Sequence, residues 1–167
     1  MLSGGERMEL NRTSALVLAA TAADGLLAGA SLDQSIKQLP ARRRIGAVPY
    51  SAYSRASDLG NGIAFYGILG IGAAALTIAA AVSAHRHEPL SRRTPPLYAA
   101  AGLAVLHSLA TTRAAPTNFS QRKVAQDDEA ALSEIFNRFE RWQTARATLQ
   151  VLNLGAMLWA VAESTDE

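Results

Sequence analysis

The sequence predicts an all-α fold, an integral membrane up-down four-helix bundle with an extended amphipathic start to the last helix. Four apolar windows lead to this prediction, and the strongest, residues 62–84, holds 23 residues without a charged side chain. At about 1.5 Å per residue, such a helix is roughly 35 Å long and crosses a hydrocarbon core. Charged segments separate the windows, as in multi-span membrane proteins. The near-zero mean hydropathy of +0.07 averages the two kinds of segment and hides them.

The other three windows are shorter or less uniform. The first contains Asp24, the third contains His107, and the fourth has Asn153 as its most polar member. We predict a single domain, residues 1–167, with spans at about 13–32, 62–84, 96–112 and 147–162. Arg7 and Arg12 before the first window resemble the start of a secretory signal, but Asp24 interrupts the apolar run, so we expect a retained first span.

The last helix is predicted to start well before its span. Apolar side chains recur at helical spacing and lead into the window without Gly or Pro: Leu132, Ile135, Phe136, Phe139 and Trp142. Acidic residues at 127–129 favour a helix N-terminus there. We therefore expect one helix over about 127–162, with its first third outside the membrane or at its surface. A soluble Ala-rich bundle, in which the windows are core helices, remains the alternative.

Composition excludes several classes of function. The chain has no cysteine, so it has no disulfide, no thiolate nucleophile and no cysteine-ligated metal. Its net charge is +2, and the basic run at 42–44 has no accompanying nucleic-acid fold, so we expect lipid rather than nucleic acid as its contact. No phosphate-binding loop, dinucleotide fingerprint, serine elbow or paired-His zinc helix is found.

Up-down topology brings the polar residues to one end of the bundle. Residues 33–61 and 113–146 are predicted to be two long loops at that end, where a functional pocket would open. The candidate catalytic residues there can exchange protons or hold an anionic group, and they are Asp33, Asp58, Asn61, His107, Asn118 and Arg146. The candidate substrate-binding residues are Tyr53, Trp142 and Asp24. No metal site is expected.

Three of these residues also have ordinary structural explanations. Asp24, near the middle of the first span, is either a buried acid or counter-ion or a hydrogen-bonded interior residue. His107 is a general base, a metal or haem ligand, or a packed histidine. Arg146 is either an interfacial anchor beside Trp142 or an inward-facing cation for an anionic group.

Short motifs resemble those of the anthrone oxygenase-like family, whose members are small four-helix membrane proteins, mostly of unknown function. The motifs are Asp24-Gly25-Leu26-Leu27-Ala28-Gly29, Ala115-Pro116-Thr117-Asn118, and the segment from Phe139 to Arg146 that contains Trp142. The Pro-x-Asn step and the Trp followed by Arg match the family layout. The resemblance implies oxygenation of a polycyclic aromatic substrate without a well-known organic cofactor motif.

The leading hypothesis is thus a small integral membrane enzyme, oxidoreductase or oxygenase-like, acting on a hydrophobic molecule at the long-loop end. The alternatives are a non-catalytic interaction subunit, a small-solute or lipid carrier, or an oligomeric bundle that binds haem through His107. The expected partners are a hydrophobic small molecule, membrane lipid and further copies of the chain. We expect the protein in the plasma membrane.

Overall fold

The all-α prediction is confirmed by a computed structural model of the protein, which describes residues 11–163. Four helices form in this range, and no strand does. Helix α1 comprises Arg12–Ile45, α2 comprises Ala47–His87, α3 comprises Thr94–Phe119 and α4 comprises Glu129–Glu163. A short 3-10 turn, Ser120–Lys123, follows α3. The long last helix expected from the sequence is present.

The helices form a closed antiparallel ring in the order α1, α2, α3, α4. At one end, the hydroxyls of Thr13 on α1 and Ser83 on α2 lie 2.8 Å apart. Toward the other end, Arg42 on α1 donates to Asn137 Oδ1 on α4 at 2.9 Å. Each helix therefore packs on the two helices that precede and follow it in the ring, which gives the up-down arrangement.

The expectation of two long loops was wrong. Residues 33–45 continue α1, residues 47–61 begin α2, and the chain reverses at Gly46, while α3 continues to Phe119. We call residues 33–61 and 113–146 the head. The many charges of the head suggested loops, but its apolar residues recur on one face of each helix and pack together, which stabilises helices there.

Two hydrophobic cores of different character result. The core of the spans, the small-residue core, consists mainly of alanine and comprises Val17, Ala20, Ala80, Ala81, Ala84, Leu97, Ala100, Met157 and Ala160. The head core contains larger side chains and comprises Leu39, Ala47, Tyr50, Ala114, Leu132, Phe136 and Phe139. Tyr50 and Phe136 meet edge to face, with ring centroids 4.9 Å apart. Small residues let the span helices approach closely, whereas the head is filled like the core of a soluble bundle.

The corner between α1 and α2 is held by the start of α4. Gly46 has φ +92° and ψ 161°, a conformation that is essentially restricted to glycine. The Glu129 carboxylate accepts hydrogen bonds from the first two backbone amides of α2, at 2.6 Å from Ala47 and 3.0 Å from Val48. A carboxylate at a helix N-terminus also interacts favourably with the helix dipole.

Two helices, α1 and α2, are long and apolar enough to cross a membrane. Their most apolar windows have mean hydropathies of 1.7 and 2.0. Within residues 11–163, α3 and α4 do not reach the same combination of length and hydropathy.

Candidate functional site

A cavity of about 240 Å³ opens between the head and the spans, at the end of the bundle that the sequence analysis favoured. Its wall is mainly apolar and includes Leu59, Ile63, Tyr66, Phe119 and Phe139. The polar groups on the wall are Ser31, Gln34, Asp58, Thr111, Asn118 and Arg146. All four helices contribute to it, and an apolar pocket with a few convergent polar groups is typical of small-molecule sites.

Two π-helical turns bring polar residues from α1 and α2 to the cavity. They are Asp33–Gln38 in α1 and Ser57–Asn61 in α2, and Gly60 within the second has non-helical angles of φ −95° and ψ −112°. A π turn inserts a residue into the helical repeat and so changes which side chain faces inward. Gly62 is needed beside the second turn, because a Cβ there would lie 2.8 Å from the Ser57 carbonyl oxygen.

Asp58 is the buried acid of the cavity. Its side chain is 9% exposed and accepts a hydrogen bond from Ser54 Oγ at 2.9 Å and another from Gln34. No cation pairs with it in the described part of the chain. Asp58 lies outside the four predicted spans, and burial raises the pKa of its carboxyl, although the hydrogen bonds partly oppose this effect. A raised pKa makes its carboxylate a stronger base.

Arg146 is the cation of the cavity. Its Nη1 donates to Gln143 Oε1 at 2.8 Å, and the Gln143 amide is placed to donate to the Ser31 carbonyl at 3.5 Å. The buried Nε of Arg146 has no hydrogen-bond partner, and no carboxylate within residues 11–163 lies within salt-bridge distance of it. An unpaired guanidinium on an apolar wall favours binding of an anionic oxygen, because charge-assisted hydrogen bonds are the strong ones.

Asn118 supplies an amide to the same wall. Its Oδ1 accepts from Gln121 Nε2 at 2.7 Å, and Gln121 is in turn held by Ser51 and Ser54. This network fixes the orientation of the Asn118 amide. Its Nδ2 makes no hydrogen bond to the described residues, so it is available as a donor to a bound molecule.

His107 lies below the cavity rather than in its wall. It is 6% exposed, and its Nε2 lies 2.7 Å from Gln150 Nε2 and 3.4 Å from Thr111 Oγ1. The Gln150 amide thus occupies Nε2 as a hydrogen-bond partner, and the tautomer of the ring decides which of the two donates. Because His107 is buried, is bonded through Nε2 within the bundle and does not line the cavity, these residues do not fit a haem in the cavity.

The other candidates from the sequence lie apart from the cavity. Asp33 is at the surface, where it pairs with Lys37 and accepts from Gln38 at 2.5 Å. Tyr53 and Asn61 do not line the cavity itself but an open groove next to it, which shares Asp58, Gly62 and Tyr66 with the cavity wall. Trp142 is 37% exposed on the outside of α4. Asp24, in contrast, is buried deep between the spans and bonded to Thr77.

Several polar residues of the interior were missed. Gln34 was not predicted because a π turn cannot be recognised from sequence pattern. Three amide side chains of α4 face the interior of the bundle and are at most 4% exposed, namely Gln143, Gln150 and Asn153. Their spacing of seven and three residues continues the row that begins with Phe136 and Phe139, and this was the signal that could have found them.

Within residues 11–163, no group of three or more His, Asp or Glu side chains could hold a metal ion. Comparison of the chain with family models, curated proteins and solved structures gave no match. The site is therefore interpreted from its own geometry.

Proposed function

We propose that this protein is a small membrane-embedded oxidoreductase that oxygenates a hydrophobic, ring-containing molecule in the cavity. The observation that supports this proposal most strongly is that the wall of one apolar cavity contains both Arg146, a cation without a salt-bridge partner, and Asp58, a buried acid. The first suits a developing oxyanion, and the second suits removal of a proton from carbon. The anthrone oxygenase-like motifs, which include Asn118 and Arg146, are consistent with that chemistry.

Membrane embedding is proposed because the span region has its large apolar side chains outside. Only 17% of the most apolar window of α2 is buried, whereas the core helix of a soluble protein is mostly buried. Ile68 and Ile71 are 78% and 76% exposed, while the interior at the same level is alanine, threonine and amide side chains. An exposed apolar surface of this kind needs a covering, and lipid provides one.

The same arrangement continues on the two helices with shorter windows. Val105, Leu106 and Leu109 on α3 are about half exposed, as are Leu152 and Leu158 on α4. We therefore include all four helices in the bilayer and place the head outside it. The cavity then lies at the boundary, where a hydrophobic substrate can enter from the lipid and its polar group can meet Arg146.

The proposed reaction converts a CH₂ group that is acidified by a neighbouring carbonyl or phenol into a carbonyl group. Asp58 takes a proton from carbon, and the electron pair moves onto the substrate oxygen, which Arg146 and Asn118 stabilise as an enolate or phenolate. Dioxygen, the co-reactant, accepts two electrons from the carbanion and, with a proton, gives a hydroperoxide. Loss of water leaves the ketone, so that R₂CH₂ and O₂ become R₂CO and H₂O. The substrate itself supplies the electrons.

The volume limits the substrate. At about 240 Å³ the cavity is slightly below the roughly 300–1,000 Å³ that is usual for ligand pockets. A compact, flat molecule is therefore favoured over a lipid with two chains. Tyr66, Phe119 and Phe139 offer ring surfaces against which such a molecule can pack.

A carrier for the same class of molecule is the second candidate. It is favoured by the hydrogen bonds that already hold the polar groups of the cavity, such as that of Asp58 with Ser54 and that of Asn118 with Gln121. A carrier needs binding by Arg146 but no proton transfer by Asp58. The two candidates therefore differ in turnover, not in affinity.

The test is oxygen consumption by the detergent-purified protein with an anthrone as substrate. We expect one O₂ consumed for each ketone formed. Arg146→Met should lose about 10²–10³-fold in kcat/KM, the usual effect of removing an oxyanion donor, and Asp58→Asn about 10²–10⁴-fold, the usual contribution of a general base.

Matched controls for these variants are available in the same chain. Arg138→Met removes an exposed arginine of α4 that pairs with Glu134, and Asp33→Asn removes an exposed acid, so both should keep wild-type rates. Full activity in Arg146→Met would refute the site. Tight binding without oxygen consumption in the wild type would favour the carrier.

A further inference from the structure

A second polar site lies deeper in the bundle, below the cavity. Asp24 is 3% exposed, and its Oδ2 accepts a hydrogen bond from Thr77 Oγ1 at 2.8 Å. The Asn153 amide also bonds to this carboxyl group. Neither partner is charged, and no cation pairs with Asp24 in the described chain. An ionised carboxylate here would have no counter-ion, which is costly in a membrane.

A row of polar side chains connects this acid to the cavity. Gln150 lies one turn before Asn153 on α4, and its Nε2 is 2.7 Å from His107 Nε2. His107 contacts Thr111, which is part of the cavity wall. The polar side chains of Asn153, Gln150 and His107 thus lie between Asp24 and the cavity wall.

Two oxygens in this row have no partner. Gln150 Oε1 and Asn153 Oδ1 are both fully buried and make no hydrogen bond, and the two side chains are 3% and 4% exposed. They are three residues apart on one helix face, so they are neighbours. Buried carbonyl oxygens without a protein partner are normally satisfied by ordered water. One water molecule that donates to both would complete the connection between His107 and Asp24.

On the side of Asp24 that faces away from the cavity, each of the four helices contributes apolar side chains to the interior. Toward the other end of the bundle, the interior positions are Val17 and Ala20 on α1, Ala80 and Ala84 on α2, Leu97 and Ala100 on α3, and Met157 and Ala160 on α4. None of them is more than 2% exposed, and all are apolar. These core residues therefore offer no side-chain hydrogen-bonding group next to Asp24 on that side, and the buried hydroxyl pair of Thr13 and Ser83 lies beyond them.

We propose that Asp24 is a reversible proton-binding site in the centre of the bundle, and that protons reach it only from the cavity side, past His107, carried by water that is hydrogen-bonded to the free oxygens of Gln150 and Asn153. The proposal rests on the membrane embedding proposed above but not on the reaction in the cavity. Of the elements around Asp24, α2 contributes Thr77 and α4 contributes Asn153, and neither titrates. The nearest titratable groups of the row are His107 and, at the cavity, Arg146.

The first test is infrared difference spectroscopy of the full chain in lipid vesicles between alkaline and acidic medium. We expect the C=O stretching band of a protonated carboxyl in a non-aqueous environment. An Asp58→Asn background removes the other buried acid. In this background the isosteric Asp24→Asn variant should lose the band, whereas Asp33→Asn, at an exposed ion-paired acid, should keep it. Absence of the band in the wild type, or its persistence in Asp24→Asn, would overturn the proposal. A band that shifts with sodium concentration at fixed pH would indicate a cation site instead and would overturn it as well.

The second test concerns the side from which the proton arrives. In vesicles of uniform orientation, a pH jump on the head side should change the band at least about tenfold faster than a jump on the other side. In Gln150→Leu, which removes one hydrogen-bonding partner of the row, the response should slow by about tenfold, the equivalent of one lost hydrogen bond. Leu152→Ala, on the outer face of the same helix, is the control. Equal rates from both sides would refute the one-sided path, and this result does not depend on any variant being folded.

Neither test depends on the proposed reaction in the cavity. A protein that has the band and the one-sided response, but that consumes no oxygen, would keep the proton site and lose the oxygenase. A protein that oxidises its substrate without an Asp24 band would do the reverse.

Discussion

Replacing Ile71 by aspartate tests whether the bundle is embedded in a membrane or soluble. Ile71 is 76% exposed and lies about 14 Å along the 23-residue span of α2, near its middle. Ile36, at 72% exposure, has nearly the same accessibility but belongs to the head. The two residues share their chemistry and their exposure, so they differ only in the surroundings that we propose for them.

The expected cost follows from the surroundings. At the centre of a membrane helix, aspartate is unfavourable by about 2.5–3.5 kcal/mol and isoleucine is favourable by about 0.3–0.6 kcal/mol. Ile71→Asp should therefore disfavour the inserted state by roughly 3–4 kcal/mol, more than a hundredfold in the equilibrium constant. Ile36→Asp changes an exposed residue in water and should stay within about 0.5 kcal/mol. The aspartate side chain is too short to reach the interface from the middle of the span.

The assay is the fraction of protein that resists alkaline extraction from membranes, combined with thermal unfolding of the detergent-purified variants. We expect Ile71→Asp to be largely extracted or degraded, and Ile36→Asp to behave like the wild type. If both variants are equally tolerated, and Ile71→Asp is more soluble without detergent, α2 is a helix of a soluble bundle and the membrane proposal fails.

Further predictions concern the head and the corner. Gly46→Ala should lower the free energy of unfolding by about 1–3 kcal/mol, because Gly46 has a positive φ. The control Gly102→Ala, where nothing obstructs a Cβ, should leave the free energy of unfolding unchanged or raise it by up to about 1 kcal/mol. Equal effects of the two variants in thermal unfolding would contradict this. Glu129→Gln should lower the free energy of unfolding by about 1 kcal/mol, because it removes the charge that caps α2. Glu134→Gln, at an exposed ion pair within α4, should lower it by less than about 0.5 kcal/mol. Equal unfolding midpoints of the two variants would contradict the role of the cap. Arg42→Met should cost about 1–3 kcal/mol, because it removes the hydrogen bonds of a 5%-exposed side chain to Ser133, Asn137 and Glu140, while Arg43 still pairs with Glu140. An unchanged denaturation midpoint would refute the importance of these bonds.

The apolar helices and the long last helix were predictable from sequence because hydropathy and helical spacing are local properties. The helical structure of residues 33–61 was not predictable, since Arg42, Arg43 and Arg44 dominate a segment whose buried positions are few. Leu39, Ala47 and Tyr50 are its part of the head core, and their partners Leu132 and Phe136 are more than eighty residues away.

The site was predicted in part. Residue type and position near the helix ends pointed to Asp58, Asn118 and Arg146, and all three line the cavity. Asp33 was predicted as a site residue, but its neighbour Gln34 lines the cavity instead, because the π turn changes which side chain faces inward. A local change in helical repeat depends on tertiary packing, so sequence periodicity does not reveal it.

The contact of Glu129 with the start of α2 has a consequence for synthesis on the ribosome. When α1 and α2 leave the ribosome, the acid that caps the two amides at Ala47 and Val48 has not yet been made. The first hairpin therefore enters its final geometry at Gly46 without this restraint, and the C-terminal half of the chain completes it. We expect a product truncated before residue 129 to show increased protease cleavage at this corner while its spans stay protected, so that assembly of the head is the last step of maturation.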